Sequence, residues 1–437
     1  MQDRYWSSQA GHRHKKRWRD RRRVLALVEQ EPEKKGKRGA RSAAAFHHQF
    51  NDRSVGGARG FWPRAPLALD LHFTTARKQP PNIESLAKHY LDLLGRLEGD
   101  DGRPLLYLDD SQVKMLHVSC DHAWDPETPA KQGSIRVECA PRADAIAELE
   151  AVHEVAVASH DFDWDVEEPH LENRDLELRL ENARAFESSG DPDSRRMAAD
   201  IRFEALRDHQ EFFLRASDRW LFGLFRRRAR ELITGKPAPW EARAARAVGS
   251  LEAWRELQEP FGPVDIASEL RGFFLVPLPA LPARSGEGEL FRQALDEACR
   301  RFLGEHPSLS PLVAPLRVTI LAVPPQQKDL DNLAREVVPA INRHFRPPQD
   351  PWVLDGTHVG LPPGLRSRDD RRRRRDLARL RSIGQYSIWA YQVIQLRRRP
   401  EHPPEGWMAV VLGHGENRNS LWGQAGIEVE RTLEHDE

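Results

Sequence analysis

At 437 residues, 39% hydrophobic and 31% charged, the chain is long enough for about two to three globular domains, with much of it left for surface and linker. No stretch approaches the roughly 18 apolar residues of a membrane span, and the opening MQDRYWSSQAGHRHKKRWRD lacks the apolar core of a secretory signal. Lys+Arg and Asp+Glu number 67 each, so net charge excludes nothing, but residues 1–60 hold 16 basic against 6 acidic side chains and residues 151–200 hold 5 against 14. That asymmetry suggests a basic contact surface and a separate acidic segment.

Residues 15–30, KKRWRDRRRVLALVEQ, read as a helix with a basic first half, followed by a linker-like EPEKKGKRGARS. LALDLHF (67–73) alternates as a strand does. NIESLAKHYLDLL (82–94) is apolar at 83, 86, 87, 90, 91 and 94, the spacing of one helix face. LLYLDDSQVKMLHV (105–118) carries two adjacent carboxylates, Asp109 and Asp110, between an apolar run and an alternating one. By itself it reads as a hairpin joined by a polar turn, since Asp and Ser favour turns. SIRVECA (134–140) is a further strand, and DFDWDVEEPHLE (161–172) reads as an acidic, solvated linker. Helices are expected over 171–187, 195–234 and 239–257. After Pro263 strands and helices alternate again: ELRGFFLVPL (269–278), ELFRQALDEACRRFL (289–303), LRVTILAV (316–323), DLDNLAREVVPAIN (329–342) and the strand end and turn VLDGTHV (353–359). RSRDDRRRRRDLARLRS (366–382), with nine Arg against three Asp, precedes two closing strands, QYSIWAYQVIQL (385–396) and EGWMAVVLG (405–413).

The order of elements repeats. Strand LALDLHF, helix NIESLAKHYLDLL, YLDDSQV and two strands match LRVTILAV, DLDNLAREVVPAIN, VLDGTHV and two strands. Ser85 to Asp109 spans 24 residues and Asn332 to Asp355 spans 23, and YLDDSQV aligns with VLDGTHV without a gap. The expected fold is therefore α/β (α+β) in class, with two copies of one mixed-sheet domain at 1–145 and 263–437 and an acidic, then helical connector at 146–262. The first strand, expected before the basic helix, is missing from the first copy on this reading. Cys120, Cys139 and Cys299 lie too far apart for a disulfide framework or a zinc site. This fits a reducing compartment, and the cytoplasm is the expected location.

Both copies place acids at a helix N-terminus and again at the following turn. In the second these are Asp329, Asp331 and Asp355; in the first, Glu84, Asp109 and Asp110, with Asn82 where Asp329 would be. Capping and the helix dipole account for one acid per helix start. They do not account for acids recurring at the next turn. A hard divalent ion, Mg²⁺ or Mn²⁺, does: it takes several carboxylate oxygens and water and activates water for phosphodiester cleavage.

QKDLDNLAREVVPAIN resembles the helix start of the RusA-type Holliday-junction resolvases, LLYLDDSQVKMLHV resembles the aspartate-pair strand of that family, and SSQAGHRHKKRWRDRRR its basic N-terminal segment. The resemblance covers about residues 8–140 and, more loosely, 268–415. It implies a small α/β fold working as a dimer and Mg²⁺-dependent cleavage of four-way DNA junctions. Two copies in one chain would make a covalent pseudo-dimer that need not associate further. Carried over by position, Asp329 and Asp331 would be metal ligands, Asn332 would support the loop, and Asp355 matches the first aspartate of the pair. Arg335 stands where the family has a lysine that assists the transition state or binds phosphate. In the first copy Lys88, Asp109 and Asp110 match and Glu84 replaces an aspartate. The departures are Gly356 in place of the second aspartate, and Asn82 and Ser85 in place of Asp and Asn.

For nucleic acid, Lys15, Lys16, Arg17 and Arg19 surround Trp18, and Arg371, Arg372, Arg373, Arg374 and Arg375 follow the Asp355 turn. Both runs are candidates for backbone phosphate contact. The histidines, His358 beside Gly356 included, show no metal-ligand spacing, and no Walker, GxGxxG or GxSxG context occurs. Two readings stand: a metal-dependent, structure-selective endodeoxyribonuclease acting on branched DNA, or a catalytically inactive DNA- or junction-binding protein whose insert recruits a partner.

Overall fold

A computed structural model of the chain describes residues 5–36, 39–54, 64–77, 79–95, 105–123, 132–159, 169–188, 191–253, 274–279, 288–324, 329–346, 387–400 and 402–434. Helix α1 (Gln9–Asp20) leads into strand β1 (Val24–Val28), α2 (Gly39–Arg53), β2 (Leu67–Thr75), α3 (Ile83–Leu94), β3 (Val113–His122), β4 (Ser134–Pro141) and α4 (Arg142–Ser159). Helices α5 (Pro169–Ser188), α6 (Pro192–Thr234) and α7 (Pro239–Val248) follow. The series then resumes with β5 (Phe274–Pro279), α8 (Gly288–Glu305), β6 (Leu316–Val323), α9 (Leu330–His344), β7 (Ile388–Gln395), β8 (Trp407–His414) and α10 (Leu421–Glu434). The fold is mixed α/β.

Among the described residues no strand precedes the basic helix; the helix expected over 15–30 stops at Asp20, and the first strand of this half, β1, follows it. The basic run ends the helix, and VLALV continues as a strand whose Val24, Ala26 and Val28 are buried while Leu25 and Leu27 face outward. Exposed leucines hide the usual apolar–polar alternation. Likewise, 105–109 is not a strand. Asp109 caps a single 3₁₀ turn, Asp110–Gln112, accepting from the Ser111 amide at 2.8 Å, and β3 starts only at Val113.

The eight strands form one sheet in the order β1-β4-β2-β3-β7-β6-β8-β5. Each half contributes four: β2 and β3 pair in parallel and β4 antiparallel to β2, as β6, β7 and β8 do in the second half. The halves meet where β3 and β7 pair antiparallel. Met115 faces Ile394 and Ser119 faces Ala390, so that ladder is symmetric about the His117–Gln392 pair. Central strands are covered on both faces and read as near-continuous apolar runs; all eight residues of β6 are buried.

Helices α3 and α9 pack together over β3 and β7 on one face. On the other lie α4, α6 and α10, with Trp422 of α10 edge-on to His117. The long α6 is fastened to both halves. Asp218 pairs with the fully buried Arg317 of β6 at 2.6 Å and accepts from the His414 amide at 3.0 Å. A side chain at Gly413 would run into the Asp218 carboxylate. Toward the first half, Arg230 grips Glu150 of α4 through two hydrogen bonds of 2.5 and 2.6 Å. Asp355, the VLDGTHV turn, the 371–375 arginines and residues 161–168 of the acidic 161–172 stretch lie outside the described residues.

Candidate metal centre

Strand direction decides which acids can meet. Ile394 of β7 lies between Met115 of β3 and Leu321 of β6, so the start of β3 and the end of β6 share one end of the sheet. The turn before β3 bears Asp109 and Asp110; the helix after β6 opens with Asp329 and Asp331. Carboxylate oxygens of Asp109, Asp110 and Asp329 fall within 4.8 Å of one another. The acids therefore converge across the two halves, whereas their spacing along the chain suggests a separate set within each.

Lys88, on α3 of the first half, closes the group. Its Nζ lies 3.1 Å from Asp331 Oδ2, 3.3 Å from Asp110 Oδ2 and 3.3 Å from Asp92 Oδ1. Burial works against the ammonium, but the charge and hydrogen bond of Asp331, with Asp92 and Asp110, hold its pKa well above the ordinary lysine value. Asp331 is only 2% exposed, and desolvation, offset in part by Lys88, leaves its carboxyl raised. Asp329 is raised too, by desolvation and then by the negative charges of Asp110 and Asp331. Asp109 goes the other way, lowered chiefly by the hydrogen bond from the Ser111 amide.

The positions are fixed by local structure. Asp329 is the N-cap residue of α9, and its Oδ2 accepts from the side-chain Nδ2 of Asn332 at 3.2 Å. Gln112 Oε1 accepts from the amides of Leu108 and Asp109 at 3.0 and 3.3 Å, and its Nε2 donates to Ala65 at 3.2 Å. That clamps the Asp109–Asp110 turn to the segment leading into β2. A donor set made wholly of carboxylate oxygens suits a hard divalent cation, and the like-charge repulsion that raises Asp329 is what such an ion would relieve.

One neighbour escaped the sequence reading. Lys114, the second residue of β3, buries its Nζ without a hydrogen bond among the described residues. Desolvation and the nearby Arg142 lower its pKa, against the pull of Asp329 and Asp109. The signal was a lysine four residues past Asp110 in a strand, which is too common to stand out.

The other candidates lie elsewhere. Glu84, in the first turn of α3, is 5% exposed and faces Asn82 and Arg335 rather than the aspartates; desolvation raises its carboxyl. Arg335 is exposed on α9. Lys15, Lys16, Arg17 and Arg19 belong to α1, which lies against the opposite helical layer: Trp18 approaches Gly426 of α10, and Tyr5 hydrogen-bonds Glu154 of α4. Lys16, Arg17 and Arg19 are exposed there. Arg21 stacks on Trp18 at 3.6 Å and lies 3.6 Å from Glu148.

Comparison with protein-family models, curated proteins and solved structures finds no match to the chain. No described helix is long and apolar enough to cross a membrane, and Cys120, Cys139 and Cys299 are free and buried.

Proposed function

We propose that the chain is a metal-dependent, structure-selective endodeoxyribonuclease acting on branched DNA, in the manner of the RusA-type resolvases it resembles. The observation that carries this reading is the convergence of Asp109, Asp110 and Asp329 within 4.8 Å, with Asp331 and Lys88 alongside. Asp109, Asp110, Asp329 and Asp331 would hold Mg²⁺ or Mn²⁺; bound there, the ion supplies an activated water and neutralises charge on the attacked phosphate.

The chain's own residues do the rest. Asn332 orients the Asp329 carboxylate, and the Gln112 clamp fixes Asp109 and Asp110. Lys88 stays charged through the neutral range and presents a cation to the developing phosphorane charge, which such preorganised groups stabilise best. Lys114, with no hydrogen-bond partner among the described residues, adds a buried basic group beside Asp109 and Asp329. Exposed Lys16, Arg17 and Arg19 would add a salt-dependent backbone contact away from the cleavage point.

The test is incision of an end-labelled four-way junction with Mg²⁺ or Mn²⁺. Specific incision that Asp110→Asn and Asp329→Asn each reduce by about 10²–10³-fold, with junction binding retained, is the expected result. Tight binding without incision, indifferent to both substitutions, would instead make the chain a junction-binding protein.

A further inference from the structure

The two edges of the sheet are not alike. One is β5, whose sequence FLVPLP carries Pro277 and Pro279. A proline has no amide to donate, so this edge resists the addition of a further strand. The other edge is β1, which pairs only with β4 among the described residues. Its five residues, VLALV, hold no charge, proline or glycine, and its register with β4 runs without a bulge. Every second amide and carbonyl of such a strand points away from its one neighbour. Charge, proline and bulges are the devices that normally blunt an edge, and β1 has none of them within its length. Leu25 and Leu27, 37% and 47% exposed, stand on the face opposite the buried Val24, Ala26 and Val28.

The residue order around Ala26 is self-complementary. Alternate positions from Arg23 to Glu29 read Arg, Leu, Leu, Glu. A second β1 running antiparallel and centred on Ala26 sets Leu25 of each copy opposite Leu27 of the other and brings Arg23 level with Glu29. Side chains directly opposite one another are the pairs that stabilise a ladder. A parallel pairing in register would set Arg23 against Arg23 and Glu29 against Glu29. A slip of two residues would set a leucine against a charge. Both charged ends remain at the surface: Arg23, paired with Glu138, is 30% exposed, and Glu29, paired with Arg53 of α2, is 58% exposed.

Independently of the chemistry proposed above, we propose that β1 is the docking edge for a second copy of this chain, joined antiparallel about Ala26 into one continuous sheet. A two-fold contact uses the same strand on both partners and closes on itself. With prolines on β5, growth stops at two copies. β1 runs parallel to β3, by way of β4 and β2. The two-fold therefore puts the copies' carboxylate clusters at opposite ends of the joined sheet, and each copy keeps its own centre. Because the contact is a single short strand, the dimer is expected to dissociate on dilution.

Sedimentation equilibrium of the full-length protein over a range of concentrations tests this. The mass is expected to rise from one copy toward two, and amide exchange across Val24–Val28 to slow in step with it. Leu25→Lys and Leu27→Glu change exposed side chains, so each is expected to keep the wild-type melting temperature and to weaken the dimer by about tenfold or more. Mixed, the two variants set the introduced ammonium opposite the introduced carboxylate, and they are expected to form a dimer that neither forms alone. A single copy at every concentration would overturn the proposal and leave the edge to some other occupant. A dimer indifferent to both substitutions, with unchanged exchange in β1, would place the contact elsewhere and overturn it too. Loss in each variant without recovery on mixing would overturn the antiparallel register.

Discussion

Asp329 shows how a residue can be set against folding and toward binding. Its carboxyl is raised by burial and by Asp110 and Asp331, so its pKa is higher in the folded than in the unfolded chain. Such a group opposes folding above the folded-state pKa, and the opposition fades as pH falls through that value. In the metal-free protein at pH 7, Asp329→Asn is therefore expected to leave the melting temperature unchanged or raise it, and to remove the rise that Mn²⁺ gives the wild type. A drop of several degrees in chelator would contradict this. Because Asp331 is raised as well, metal-dependent incision should fade on acidification at a higher pH than ordinary aspartates would require. Lys88→Met removes the cation that offsets this repulsion, so the acid limb of the pH–rate profile should move further up, together with a loss in rate; an unmoved limb would place Lys88 outside the cluster's electrostatics.

At the level of elements, α6 is a strap rather than a free connector. Its Asp218 neutralises the buried Arg317 and its Arg230 holds Glu150. Removing one partner of a buried pair leaves an uncompensated charge and costs about 3–5 kcal/mol. Asp218→Ala should cost that much in urea unfolding, whereas loss of an exposed pair such as Arg301–Glu297 should cost well under about 1 kcal/mol; equal losses would deny the strap. Much of this layer was legible in sequence. The apolar stripe of 82–94 gives α3, Asp329 marks the start of α9, and the repeat of strand, helix and strands is visible in order and spacing. β1 was not, because Leu25 and Leu27 face outward and break the alternation. The turn at 109–112 was legible as a turn, yet it was also half of the site. What local pattern cannot carry is strand order. The near-equal spacings from Ser85 to Asp109 and from Asn332 to Asp355 suggest sites within each half, while antiparallel pairing of β3 with β7 brings the start of α9 to the first half's Asp109–Asp110 turn.

For the whole molecule, that pairing joins both halves into one eight-stranded sheet, with α6 across its back. Unfolding should therefore be a single cooperative transition, seen as coincident melting by far-UV and tryptophan signals; two separated transitions would mean the halves are independent. The same continuity brings acids from both halves to one end of the sheet. The aspartate pair of the first half and Asp329 of the second lie together in one group. Mn²⁺ titration of the full-length protein, followed by calorimetry or electron paramagnetic resonance, tests this directly. A shared site predicts that Asp110→Asn and Asp329→Asn, in opposite halves, each abolish the same high-affinity binding, and that the double substitution loses nothing further. Two classes of site, one lost with each substitution and the other retained, would contradict it.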